Sequence, residues 1–202
     1  MSFFQNTRKP EGLGGRIMVS MMNFGHTSMA EWGFNHLQIA EDAVVLDVGC
    51  GGGANLKRLL AKCPQGTVTG VDYSEISVEK SSKVNAKAIQ EGRCEVLQGS
   101  VAELPFVDAA VDLITAFETI YFWPGLADCF REVYRVLKPS GTFFICNESN
   151  GDSNKDDKWT EIIEGMTIYN ASQILTALNQ AGFFDAKVEK NDKGWICVTA
   201  RK

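Results

Sequence analysis

Val45-Leu46-Asp47-Val48-Gly49-Cys50-Gly51-Gly52-Gly53 is the stretch that decides how this chain is read. A short apolar run, residues 44–48, meets a cluster of glycines, and the sequence then turns helical with Leu56, Leu59, Leu60 and Cys63 on one face before Pro64 and Gly66 close it. That is a buried strand, a tight turn and an amphipathic helix. Glycines at such a junction let the backbone turn sharply and approach a ligand closely, and the helix start offers N–H groups that have no partner within the helix. Two ligands suit the spacing. Taken as G-x-G-x-x-A, through Gly49, Gly51 and Ala54, it fits a nicotinamide or flavin dinucleotide. Asp47 opposes that reading, because a carboxylate at the mouth of the loop repels a pyrophosphate and attracts an ammonium or sulfonium group.

Working outward, apolar runs at 67–72, 93–98, 111–116 and 142–146 alternate with helical patterns, as in stacked βα units with a mainly parallel sheet. Ser74 can cap a helix over 75–90, ended by Gly92. Leu126, Phe130, Val133 and Leu137 form one apolar stripe of the next helix, stopped by Lys138, Pro139 and Gly141. A polar stretch at 148–158 leads to a short amphipathic piece at 159–166, read as an excursion from the sheet. Asn170 caps a last helix running to Gly182, and runs at 183–189 and 195–201, separated by Asn191-Asp192-Lys193-Gly194, read as a hairpin. The expected fold is therefore α/β: a doubly wound, mainly parallel, seven-stranded sheet with a C-terminal antiparallel hairpin. The 202 residues suit one domain, with residues 1–43 forming a helical cap over the ligand site.

Composition narrows the partners. With 45% hydrophobic and 22% charged residues, the chain has enough apolar material for a packed core. A net charge of −5 with no lysine or arginine cluster disfavours nucleic acid. The apolar stretch at 17–22 is too short for a signal or a membrane span, so a cytoplasmic location without membrane attachment is expected, as monomer or homodimer. Six scattered cysteines with no C-x-x-C and no neighbouring histidine read as reduced core residues, and no metal site is expected.

The glycine segment resembles the nucleotide-binding motif of class I S-adenosylmethionine-dependent methyltransferases, in which an acidic residue precedes G-x-G-x-G; Gly49, Gly51 and Gly53 match its three glycines. The resemblance implies the Rossmann-like methyltransferase fold, S-adenosyl-L-methionine as cofactor, and contacts from Asp47, Gly49, Cys50, Gly51 and Gly53. It also implies that Asp72, ending the second strand, accepts both ribose hydroxyls and that Tyr73 offers its ring to the adenine. Residues 96–106 resemble the segment that covers the adenine in the ubiquinone biosynthesis C-methyltransferases. Ser100 stands where many such relatives have aspartate, so its hydroxyl or the Val101 amide would serve. Phe117 falls where similar enzymes pass the backbone beside the methionine moiety. The likeness covers residues 44–148 and is nearly silent on the acceptor, which is expected to be a small molecule.

For the acceptor side, the aromatic-rich Phe117-Glu118-Thr119-Ile120-Tyr121-Phe122-Trp123 lies at the carboxyl edge of the sheet, where open α/β folds bind ligands. Glu118 and Tyr121 are candidates to steer a substrate. His26, in the segment before the first strand, is a candidate general base or substrate contact, against a purely structural role. Met18, Met21, Met22 and Met29 either line an apolar acceptor pocket or pack helices. The rival functions are a cofactor-binding module without catalysis and a nicotinamide-dependent oxidoreductase. The fourth strand ends Ala116-Phe117-Glu118-Thr119, without the Asn/Asp-Pro-Pro-aromatic signature of enzymes that methylate nucleic-acid bases or glutamine amides.

Overall fold

The computed structural model describes residues 3–8, 10, 12–152 and 157–202; the side chains of residues 3, 4, 22–24 and 157 are also outside the description. Seven strands form one sheet in the order β3-β2-β1-β4-β5-β7-β6. They are β1 (Val44–Val48), β2 (Thr67–Asp72), β3 (Cys94–Gln98), β4 (Val111–Phe117), β5 (Leu137–Asn147), β6 (Phe184–Lys190) and β7 (Ile196–Arg201). The first five pair in parallel, and β7 enters antiparallel between β5 and β6. The expected topology holds, hairpin included. The chain reverses its strand order between β1 and β4, which opens a crevice at their carboxyl ends.

Helices cover both faces. On one side α6 (Leu126–Val136) and α8 (Ala171–Ala181) bury Phe130, Val133, Ile174 and Leu178 against Phe143, Ile145 and Val198. On the other, α3 (Ala54–Lys62) buries Leu56 and Leu59 beside Val45 and Val68. Asn170 caps α8 through a capping box with Gln173, as its position before the apolar stripe implies.

Three expectations need adjustment. The helix expected over 75–90 is two, α4 (Glu75–Val84) and α5 (Ala86–Gln90). Asn85 breaks it, because its buried side chain turns inward and donates to the carbonyls of Gly53 and Ser81, both at 3.0 Å. Leu137 ends the α6 stripe as an extended residue and opens β5, pairing with Val111 before a register shift carries the strand past Pro139 and Gly141. The polar stretch at 148–158 lies partly outside the described residues.

The third adjustment concerns the N-terminal cap, which divides into unlike parts. The first helix, α1 (Gly12–Gly25), leaves Leu13, Ile17 and Met21 exposed and buries Met18 and Val19. The second, α2 (Thr27–Phe34), is a fixed layer of the core: Met29, Ala30 and Phe34 are buried with Phe117, Phe144 and Cys146. Gly33 lets it lie that close, since a β-carbon there would stand 2.5 Å from Cys146 Sγ. Gly33→Val should therefore cost about 1–3 kcal/mol by overpacking, read as a lower urea midpoint. An unchanged midpoint would mean that α2 does not rest on the sheet.

Candidate active site

Each glycine of the 49–53 loop answers a different demand. Gly49 has φ +78° and lies so close to Thr119 that an added β-carbon would meet its Cγ2 at 2.3 Å. Gly53, at φ +79°, is packed on Ser81 and Asn85 in the same way. Gly51, at φ +52°, has nothing within 4 Å of the β-carbon position and faces open space. Two of the glycines thus serve packing beneath the loop, and Gly51 leaves room above it.

The loop's backbone is largely committed. The amides of Gly49 and Cys50 donate to Val71 O at 2.7 and 3.1 Å, and Gly53 N donates to Cys50 O at 3.0 Å. Gly51 N donates to Asp72 Oδ2 at 2.9 Å, while Asp72 Oδ1 accepts from Ser74 N at 2.9 Å. Burial raises the Asp72 carboxyl above its ordinary range, opposed by these amides. The Ser77 side chain adds a further hydrogen bond to this carboxylate, and because each ionised oxygen has two acceptor positions some capacity remains for a ligand.

Above the loop opens a cleft of about 370 Å³, within the range of small-molecule sites. Of the residues expected at a site, Gly49, Cys50, Gly51, Asp72, Tyr73, Ser100, Val101, Phe117, Glu118 and His26 all line it. Tyr73 is 42% exposed at its rim. Ser100 accepts a bond from Ala102 N at 3.2 Å, so its hydroxyl already shapes its own turn.

Three expected site residues do not line the cleft. Asp47 lies beneath the loop, not at its mouth: it is buried, and its Oδ1 accepts from Thr115 Oγ1 at 2.6 Å. Burial pushes its carboxyl up to about 7, with Thr115 opposing and Asp72 adding to the rise. Gly53 faces inward, as described. Tyr121 is 3% exposed, with its hydroxyl donating to Glu118 Oε1 at 3.2 Å and accepting from Ser149 N at 3.0 Å. It holds Glu118 in place and is shielded from any substrate.

Glu118 adopts φ +61°, unusual for a residue with a side chain. Its carboxylate also accepts from Glu148 N. Burial pushes Glu118 up to about 7, His26 counteracts and Glu148 reinforces. His26 lies at the junction of α1 and α2, and one ligand-competent atom from each of His26, Glu118 and Glu148 falls within 4.8 Å of the other two.

Sequence reasoning missed Glu148, and although it expected residues 1–43 to cover the site it did not single out Thr7, Arg8 and Pro10, which line the cleft. Those residues belong to or follow a 3-10 turn (Phe3–Thr7) fastened to residues 162–164, where Gln5 donates to Ile162 O at 2.8 Å and Arg8 to Glu164 O at 3.1 Å. Arg58 was detectable, since it stands one helical turn after Ala54 and shares its cleft-facing side. It bonds Asn55 at 3.0 Å and Thr27 at 3.1 Å.

Comparison with known proteins bears on the family and the fold. A family model described as "Methyltransferase domain" matches residues 46–145. Cycloartenol-C-24-methyltransferase 1 of Oryza sativa subsp. japonica is 32% identical over 148 residues, which is 69% of this chain and 43% of that protein. Sterol 24-C-methyltransferase erg-4 of Neurospora crassa is 29% identical over 154 residues, 72% of this chain and 40% of its own length. The chain thus spans less than half the length of these curated relatives. Among solved structures, a SAM-dependent methyltransferase from Aquifex aeolicus superposes with a TM-score of 0.78 at 21% identity, covering 92% of this chain and 97% of that one. Haemonchus contortus phosphoethanolamine N-methyltransferase 2, solved with S-adenosyl-L-methionine, gives 0.76 at 17% identity over 87% of this chain and 52% of its own.

Asp47 makes stability depend on pH in a defined direction. A rise from 3.8 to about 7 corresponds to about 4 kcal/mol at 1.36 kcal/mol per unit. The folded state holds this proton more tightly than the unfolded chain does. The penalty is therefore absent below about pH 4, grows as pH rises and is complete above about pH 7. Asp47→Asn keeps an acceptor for Thr115 and removes the penalty. The variant should gain stability over the wild type between pH 4.5 and 8, read from urea midpoints at both; a difference independent of pH would contradict the burial of this carboxyl.

Proposed function

We propose that this chain, which belongs to the class I S-adenosylmethionine-dependent methyltransferases, transfers the cofactor's methyl group to a small-molecule acceptor held over the carboxyl ends of β4 and β5. The observation that carries the reading is the single cleft, which gathers the glycine loop, Asp72, Tyr73, Phe117, His26 and Glu118 around one space.

The residues present fit the cofactor. Asp72, which lines the cleft at the end of β2 with acceptor capacity left over, suits the ribose hydroxyls, and the rim position of Tyr73 suits the adenine face. Ser100 and Val101 border the same end. Open space above Gly51 leaves room for the ligand's backbone-facing edge. The amides of Gly49, Cys50, Gly51 and Gly53 already donate within the protein, which leaves little of this loop for a pyrophosphate and disfavours the dinucleotide reading. Asp47, buried under the loop, acts through its field and not by contact. Arg58, on the cleft side of α3, suits the carboxylate of the methionine end.

S-adenosylmethionine, when bound, supplies an electrophilic methyl group on a sulfonium. The chain's task is then to align the acceptor with that methyl and exclude water. Val19, Met29, Phe122 and Trp123 give the acceptor end apolar walls, and His26 with Glu118 gives it one polar pole. An acceptor with an apolar body and a single polar reacting end fits this division. The new bond joins its reacting atom to the methyl carbon as the carbon–sulfur bond breaks, and any proton it sheds leaves at the polar pole. The curated relatives are named for methyl transfer to carbon 24 of sterols, which share the apolar body but react at carbon and not at a polar end. Thr7, Arg8, Pro10 and, from α1, Val19 border the cleft on its N-terminal side, and Gln5 and Arg8 tie that side to the end of α7 (Asp157–Ile162) and to Glu164. Among the described residues no helix is long and apolar enough to cross a membrane. A cytoplasmic setting with all six cysteines reduced suits this reading.

Calorimetry should show saturable binding of S-adenosylmethionine and none of NAD. Asp72→Ala should weaken the cofactor by about 2–3 kcal/mol, the scale of losing charged hydrogen bonds in a half-buried site. Tight NAD binding without a response to S-adenosylmethionine would overturn the function, and unaltered affinity in Asp72→Ala would overturn the cofactor's placement.

A further inference from the structure

The polar pole of the cleft holds more charge than a proton relay requires. His26 arrives from the α1–α2 junction, Glu118 from the end of β4 and Glu148 from the residue after β5. One nitrogen or oxygen from each falls within 4.8 Å of the other two, and all three side chains are half-buried. Two carboxylates brought this close inside a partly dry wall repel one another, and the arrangement favours whatever positive species sits between them. Among the described residues no lysine or arginine pairs with this cluster: the lysine and arginine side chains lining the cleft are Arg8, bonded to Glu164 O, and Arg58, bonded to Asn55 and Thr27.

We propose that His26, Glu118 and Glu148 bind a divalent metal ion at the acceptor end of the cleft. One imidazole and two carboxylates neutralise a dication and match manganese, iron(II) or zinc better than magnesium, which prefers oxygen alone, or copper(I), which prefers sulfur. Tyr121 is the supporting partner, because its hydroxyl fixes the Glu118 carboxylate from behind. Three protein ligands leave coordination positions open, and His26 and Glu118 both face the cleft, so those positions point to the acceptor. An acceptor with an ionisable oxygen, such as a phenol or an enol on an apolar body, is the class this pole would take. That assignment of the acceptor rests on the function proposed above, whereas the metal site itself rests on geometry alone.

The test uses the full chain, without a histidine tag, stripped by chelator and titrated with manganese(II) and zinc(II) by calorimetry. Loss of the free-manganese paramagnetic signal gives an independent count. One ion should bind per chain, and His26→Ala, Glu118→Gln and Glu148→Gln should each weaken it at least tenfold while keeping the wild-type circular dichroism. Glu148→Gln is the sharpest, because Glu148 does not border the cofactor. S-adenosylhomocysteine affinity is measured on the same samples. No saturable metal binding with normal S-adenosylhomocysteine binding would overturn the metal site and leave the proposed function standing. Metal binding that survives all three substitutions would equally overturn it. Loss of both ligands from the wild-type chain would overturn the reading of the whole cleft.

Discussion

The Asp72 carboxylate joins three parts of the chain at one point. It ends β2, it fixes the glycine loop through the Gly51 amide, and it fixes the start of α4 through the Ser74 amide. A buried carboxylate is costly unless its oxygens are satisfied, and here the backbone satisfies them in part while leaving capacity for a ligand. The cofactor bed is thus preorganised by the same group that would read the ribose. Stability and recognition draw on one side chain.

Around that point the packing is tight enough to dictate residue types. Thr119 presses on Gly49 while its hydroxyl donates to Val48 O at 3.1 Å, and Asn85 presses on Gly53 while it holds that residue's carbonyl. The loop is clamped from β4 and from α4 at once. A ligand that binds above it meets a surface already in position, and little ordering entropy remains to be lost on binding.

This division explains what the sequence could and could not reveal. The strand-loop-helix unit, the place of Asp72, the N-caps at Ser74 and Asn170 and the terminal hairpin were all legible, because each is a local pattern of apolar spacing and capping residues. Asp47 was visible as an acid beside the glycines, but whether it faces the ligand or Thr115 depends on the pairing of β1 with β4, which spacing does not encode. The meeting of His26 with Glu118 was anticipated only as two separate candidates. Glu148 had no local signal, since its place follows from the end of β5 lying beside the end of β4. The helix break at Asn85 and the early start of β5 at Leu137 are tertiary decisions of the same kind.

Amide hydrogen exchange, followed with and without S-adenosylhomocysteine, tests the central claim most directly, that one preorganised cleft above residues 49–53 receives the cofactor. Protection should rise at residues 49–53, 72–73 and 99–101, and on the N-terminal side of the cleft at residues 3–8, while β6 stays unchanged. Protection confined to the groove between α6 and α8, or none at the glycine loop, would contradict it.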